Sequence, residues 1–373
     1  MIIRIFVIVF VAVILGSCAY RQLINICDIE ISDDQKSEGG KIKPIYNKGK
    51  YINPFPPDEP NNLSIWKVHF AKNKAQTRPQ KSLDVTPINT TEVFPADDKG
   101  LYITWLGHSS ILMQIEGIKI FIDPVFSDNI SPIPFVKLKR YQKTAALKGK
   151  DIKELDLVVI SHNHYDHLDK KAIKELKSIT KLFITPKGVS KYLEKWGVNK
   201  DKILELSWWE EWQSSQSEYR NFSVVCTPAR HFSGRSLSSI NKSLWASFVF
   251  IGENHRVFYS GDTSFNYHFD QIGHHYGPFD VTLMECGQYN KAWTESHLMP
   301  EETIKAHKQV KGNYLLPIHW GSFTLSKHDC WEPAERVLAA APENNVKIIT
   351  PTIGQTIKGK TEINTFEWWK DLK

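Results

Sequence analysis

Cysteine is scarce in this chain, with five in 373 residues and no pair at CxxC spacing. That removes the usual sequence signs of a dithiol redox centre or a thiolate zinc cage, and Cys226, inside the apolar run Phe222 to Thr227, reads as an inert buried thiol. Strong charge is missing too. A formal net charge of +6 gives weak attraction to anionic surfaces and no case for a nucleic-acid binder. Repeats and low-complexity tracts are absent, and no separate Ser-His-Asp arrangement offers a protein nucleophile. The apolar start, Met1 to Leu15 with Arg4 as its one charge, falls short of the roughly 20 residues a spanning helix needs.

That short start is followed by Gly16-Ser17-Cys18, the layout of a secretory signal. The expectation is a signal peptide over 1–17 with a lipobox, leaving Cys18 as a lipidated first residue; an uncleaved signal anchor is the alternative. The protein is then expected outside the cytoplasm, on a membrane surface, periplasmic or cell-surface. Residues 18–50, poor in aromatics and polar over Ser32 to Lys41, read as a tether, and residues 51–373 as one hydrolase domain. Its opening Asn53-Pro54-Phe55-Pro56-Pro57 suits neither sheet interior nor helix and reads as an arm across the surface.

Within the domain, strands are expected at Leu101 to Leu106, Ser110 to Ile115 and Ile118 to Ile122, the last two joined at Glu116-Gly117. Further strands follow at Leu155 to Ile160, Leu182 to Thr185, Ile203 to Leu206, Phe222 to Thr227, Trp245 to Ile251 and Val257 to Ser260. The remaining ones are Val281 to Glu285, Tyr314 to Ile318 and Lys347 to Thr350. Helices are expected at Lys170 to Ser178, Val189 to Trp196, Glu301 to Val310 and Pro333 to Ala341. Hairpins first, then alternating strands and helices, predict an α/β fold of two sheets packed face to face with helices outside.

The densest chemistry is Ser161-His162-Asn163-His164-Tyr165-Asp166-His167-Leu168-Asp169, directly after a strand buried on both faces. Imidazoles with a carboxylate are what a zinc site uses, and the carboxyl ends of strands are where α/β folds place ligands. His162 and His164, two apart in a loop, reach one ion; Asp166 and His167 diverge towards a second. An ion needs about four donors, so more must come from elsewhere. Three later strand ends carry them: His231 after Phe222 to Thr227, Asp262 after Val257 to Ser260, and His319 after Tyr314 to Ile318. Gly261 allows the tight turn that presents Asp262.

This set resembles the metallo-β-lactamase superfamily. Trp105-Leu106-Gly107-His108, Trp208-Trp209-Glu210-Glu211, Phe279-Asp280 after Gly277-Pro278, and Ile318-His319-Trp320-Gly321 are similar to the N-acyl-phosphatidylethanolamine-hydrolysing phospholipases D, as is the arm. The resemblance covers roughly Tyr51 to Trp331 and implies an αββα sandwich of two mixed sheets. It implies two zinc ions, one on His162, His164 and His231, the other on Asp166, His167 and His319, with Asp262 between them. A hydroxide shared by the metals would cleave a phosphodiester of an N-acylated phospholipid. Asp166, Asp262 and His297 are the residues expected to act in catalysis, His297 by contacting substrate or passing a proton to the leaving alkoxide. His108 and Asp123 are expected to orient ligands rather than bind metal. Met299, where an acidic cap is usual, and Cys286-Gly287-Gln288-Tyr289 depart from the family and leave acyl and head-group preference open. Partners implied are a phospholipid, a membrane surface (for which Phe135 to Lys143, otherwise an ordinary exposed loop, and Trp368-Trp369, otherwise docked onto the domain, are candidates) and a second copy of the chain. Two rival readings remain: a lactonase or other ester hydrolase on the same fold, and a metal-binding surface lipoprotein without catalysis.

Overall fold

Two seven-stranded sheets are built from the alternating apolar segments of the chain. The computed structural model describes residues 32–56, 58, 74–96, 98–131, 133, 135–215, 221–359 and 367–373. The expected signal peptide, Cys18, Cys27 and His69 lie outside the described residues. Among the described residues no helix is long and apolar enough to cross a membrane.

A hairpin, β1 (Ile45–Asn47) and β2 (Lys50–Ile52), precedes the sheets. The first sheet holds β3 (Leu101–Trp105), β4 (Ile111–Ile115), β5 (Ile118–Ile122), β6 (Leu155–Val159), β7 (Thr180–Pro186) and β8 (Ile203–Leu206). The second runs from β9 (Glu211–Gln213) through β10 (Ser223–Thr227), β11 (Ser247–Ile251), β12 (Arg256–Tyr259), β13 (Phe279–Glu285) and β14 (Gly312–Ile318) to β15 (Lys347–Ile348). The chain then returns as β16 (Thr356–Lys358) to the edge of the first sheet, antiparallel to β3. Each sheet is mixed. β3, β4 and β5 pair antiparallel, with Ile111 opposite Ile122, and β5 to β8 run parallel; β9 to β12 are antiparallel and β12 to β15 parallel. The β4–β5 turn places Glu116 at φ 52° and Gly117 at φ 90°, the paired positive angles of a tight hairpin.

The largest core includes the space between the sheets, where Ile103, Met113, Ile120, Leu157 and Val159 meet Val224, Phe248, Val257, Leu283 and Leu316. A second core forms where the helices Lys170–Leu176 and Ser190–Lys195 cover the outer face of the first sheet with Ile173, Leu176 and Leu193. Pro300–Gln309 and Glu332–Ala340 form helices beside the second sheet. Helix–sheet–sheet–helix layering thus matches the expected architecture.

One region differs from the sequence reading, and at another the structure selects between two readings. The second half of the expected tether is packed onto the domain: Ile42 is fully buried, its N–H bonds Gln271 Oε1, and Trp209 Nε1 bonds its carbonyl. Few aromatics in 32–50 hid this, because the apolar partners come from elsewhere in the chain. At the other end, Trp369 is buried and Trp368 stacks on Trp320 at 5.2 Å, so this pair docks onto the domain. The helix His268–Tyr276 and the strands β1, β2, β9 and β16 were also not foreseen.

Candidate metal centre

Every expected donor sits just past the carboxyl end of a strand. β6 ends at Val159 and delivers the Ser161–Asp169 loop; β10 leads to His231, β12 to Asp262 and β14 to His319. β5 delivers Asp123 and β13 ends on Glu285. The sheets face each other, so strand ends from both converge on one spot. His319 N–H bonds His108 O at 2.9 Å, and His108 N–H bonds Trp320 O at 2.8 Å, tying the β3–β4 loop to the β14 exit. His108, Asp123 and His319 adopt positive φ of 52°, 42° and 69°. Three non-glycine residues in that region at one site indicate backbone strain held by the surrounding fold. At Gly261, φ +57°, an added Cβ would stand 2.6 Å from Ala246 O, so only glycine fits the turn that aims Asp262.

Two donor sets form. In the first, His162 Nε2 lies 2.8 Å from His164 Nδ1, and His231 Nε2 lies 3.3 Å from the same atom. Asp262 Oδ2 completes it, 3.8 Å from His162 Nε2 and 3.7 Å from His231 Nε2. In the second, His167 Nε2 stands 3.4 Å from Asp166 Oδ2 and 3.0 Å from Asp262 Oδ1, which is itself 3.1 Å from His319 Nδ1. Donors bound tetrahedrally at 2.0–2.1 Å sit about 3.3 Å apart, so these spacings suit a metal shell. All seven foreseen donors are brought together. His108 joins Asp166, His167 and His319 as a fourth group within reach.

Bracing differs between the sets. Asp123 accepts from His167 Nδ1 at 2.7 Å, Ser161 N at 2.7 Å and Tyr259 OH at 2.6 Å. His108 Nε2 holds Asp166 Oδ2 at 2.8 Å, and Ser109 Oγ meets His319 Nδ1 at 2.9 Å. These contacts give His108 and Asp123 the orienting place expected of them. On the first side, His231 Nδ1 contacts the Ser296 carbonyl at 2.8 Å. Asp169, last of the motif, faces away from the donors: it caps the helix Lys170–Leu176 through Lys171 N and Ala172 N, and binds Phe126 N.

Do these residues suit a cation? His164 Nε2, His167 Nε2, His319 Nε2 and Asp262 Oδ1 are buried without a hydrogen-bond partner. Asp262 Oδ1 and His167 Nε2 are close but off the line a hydrogen bond needs. Orphaned buried polar atoms are destabilising unless something binds them. Burial pushes the Asp262 carboxyl up to about 7 against the pull of His167, and pushes His164 down to about 3. Burial would also raise Asp166, yet His167 and the bond from His108 hold it well below the carboxylate range. Burial works against protonated His167 as well, but Asp262 and Asp166 outweigh it and raise its pKa. With His164 neutral and only a proton on His167 set against the acidic side chains, a divalent metal fits as the charge that would take that proton's place.

A narrow cleft opens over the centre, lined by Ile130, Leu138, Trp293 and Leu325 together with His164, Asp262 and His297. His297 lies beside both sets, its ring centroid 5.2 Å from that of His231 and 5.1 Å from that of His319. Its Nδ1 sits 2.7 Å from Glu285 Oε2. Burial pushes Glu285 up and His297 down, the directions expected when two enclosed groups share one proton. Glu285 went unnoticed in the sequence, although it closes an apolar strand as the foreseen donors do. The arm also reaches this region: Asn53 Nδ2 bonds the His231 carbonyl and Arg230 bonds the Pro56 carbonyl. Met299 gives its helix no side-chain cap, and Glu302 instead reaches back to Met299 N at 2.9 Å.

Comparisons with known proteins agree with this geometry. Residues 119–320 match the family model described as a beta-lactamase superfamily domain. The chain is 38% identical to an uncharacterized protein of Mycobacterium tuberculosis, over 88% of this chain and 87% of the other. It is 33% identical to N-acyl-phosphatidylethanolamine-hydrolyzing phospholipase D 1 of Caenorhabditis elegans, over 79% of this chain and 87% of the other. Among solved structures, isothiocyanate hydrolase from Delia radicum gut bacteria superposes with a TM-score of 0.56 at 18% identity, covering 69% of this chain and 98% of its own, a likeness of fold alone.

Proposed function

From a chain that belongs to the metallo-β-lactamase superfamily, we propose a two-zinc phosphodiesterase that hydrolyses N-acyl-phosphatidylethanolamine-like phospholipids. One observation carries the reading: two donor sets, drawn from the strand ends of both sheets, meet at Asp262, whose Oδ2 lies near His162 and His231 and whose buried, unpartnered Oδ1 lies near His167 and His319. His162, His164 and His231 would hold one ion and Asp166, His167 and His319 the other, with Asp262 serving both. Bound zinc would supply a water of lowered pKa and neutralise charge on the phosphoryl oxygens.

The chain's own residues supply the rest. Ile130, Leu138, Trp293 and Leu325 give the cleft an apolar wall against which an acyl chain excludes water. His297 stands where a leaving alkoxide needs a proton. The loop that carries Ile130 and Leu138 also exposes Phe135, Lys137 and Lys139, a mix of apolar and cationic groups suited to an anionic bilayer surface. An anchor at Cys18, with the enzyme outside the cytoplasm, completes the proposal and would keep the cleft near its lipid. The choice of a phosphodiester draws support from the C. elegans relative's name, since fold alone does not select a reaction.

The test is metal analysis joined to lipid mass spectrometry on one purified sample. Two zinc ions per chain and release of phosphatidic acid with an N-acylethanolamine are the expected result. Tight zinc without phosphatidic acid, or turnover of a lactone panel in its place, overturns the substrate.

A further inference from the structure

The Glu285 carboxyl is fully buried at the end of β13 and, among the described residues, forms no ion pair with a lysine or arginine. Its surroundings are instead specified donor by donor. Thr263 N–H donates to Oε1, Leu298 N–H also reaches the carboxylate, and Oε2 faces His297 Nδ1 at 2.7 Å. Thr303 Oγ binds the Glu285 carbonyl at 2.8 Å, fixing the backbone as well. With Nδ1 taken, Nε2 is the ring atom His297 has left for a ligand in the cleft. A buried carboxylate that fixes a histidine by one nitrogen sets what the other nitrogen can do.

We propose that Glu285 is a positioning residue for proton delivery: it holds His297 by Nδ1 so that Nε2 hands a proton to the leaving alkoxide. This rests on the phosphodiesterase reading and adds a residue that the ligand set does not include. In the step, the electron pair of the scissile P–O bond passes to the leaving oxygen, which takes the Nε2 proton and departs as an alcohol. Water provides the oxygen of the new P–O bond, and the proton that water sheds restores Nε2.

The isosteric change Glu285→Gln isolates the idea. The backbone N–H of Thr263 must still find an oxygen, so the new NH₂ is turned towards His297. Nδ1 then has to accept, and the ring is locked as a neutral Nε2–H tautomer that cannot act as an acid. A wrong-tautomer defect of this kind lowers turnover by about 10²–10⁴-fold.

Two substrates separate this role from a merely structural one. An N-acylated phosphatidylethanolamine has an alkoxide leaving group that needs the proton; bis(p-nitrophenyl) phosphate releases a phenolate that does not. For Glu285→Gln and for His297→Ala, kcat on the lipid should fall about 10²–10⁴-fold with KM within a few-fold, while aryl diester turnover falls less than about tenfold. The double variant should be no worse on the lipid than His297→Ala. Equal losses on both substrates, or additive losses in the double variant, overturn the proposal. So does the disappearance of one metal ion per chain, since Asp262, Glu285, His297 and His319 lie close enough together to be read as an ion's ligands. Should Glu285→Gln not fold, Glu285→Asp withdraws the carboxylate by one methylene and faces the same criteria. A wild-type protein inactive on both diesters would instead overturn the phosphodiesterase reading itself.

Discussion

The two halves of the centre are built from similar side chains but held in different ways. On the second side, other side chains brace the donors: the Asp123 carboxylate grips His167, and the His108 imidazole grips Asp166. That network is buried and partly strained, with Asp123 and His108 at positive φ. On the first side the supports are mostly backbone groups and one cation, with Ser161 Oγ, itself bonded to Asp123, meeting His162 Nδ1 at 3.0 Å. His231 leans on the Ser296 carbonyl, and Arg235 spans from the His231 loop to the carbonyls of Asn163, at 3.0 Å, and Leu168, at 2.7 Å. The Arg235 guanidinium rests 3.7 Å from the ring centre of Tyr165, which shields it from water. Side-chain partners thus organise the second half directly, whereas most supports of the first are backbone carbonyls and a loop pinned by Arg235, which leaves that half the more easily disturbed by changes in the loops.

Three substitutions probe that contrast. The largest effect belongs to Asp262→Ala, which strips a donor from both halves; turnover should fall by at least about 10³-fold and the content of both ions should drop together. Loss of one ion only would mean that the halves do not share this carboxylate. Asp123→Asn comes next. It removes the charge behind His167 while keeping the shape, so affinity for the second ion should fall about 10–100-fold, and for the first, which Asp123 reaches only through Ser161 and His162, by less, as read by metal titration. The smallest change is expected for Arg235→Gln, which should weaken the first ion by under about tenfold and spare the second. If Asp123→Asn weakens the first ion as much as the second, the halves are not separately braced.

Much of the fold could be read from the chain because the core strands are near-continuous apolar runs, such as Leu155 to Ile160, bounded by polar loops. What escaped has physical causes. β9, Glu211-Trp212-Gln213, is a three-residue edge strand flanked by charge, and it pairs only because β10 offers a free edge. The helix His268–Tyr276 contains three histidines and Gly273, poor helix formers that buried packing of Phe269 and Ile272 overrides. Ile42 reads as tether until its partners Gln271 and Trp209 are in place.

Sequence alone determined which side chains could carry the chemistry and that each follows a buried strand, because hydrophobic runs and strand ends are local properties of the chain. Only the tertiary structure decided that those ends meet, how they divide into two differently braced sets, and that Glu285 stands behind His297. The first two depend on sheet register and on the facing of one sheet by the other, which leave no local mark in the chain; Glu285 and His297 are near in sequence, but only the folded loop after β13 turns one onto the other.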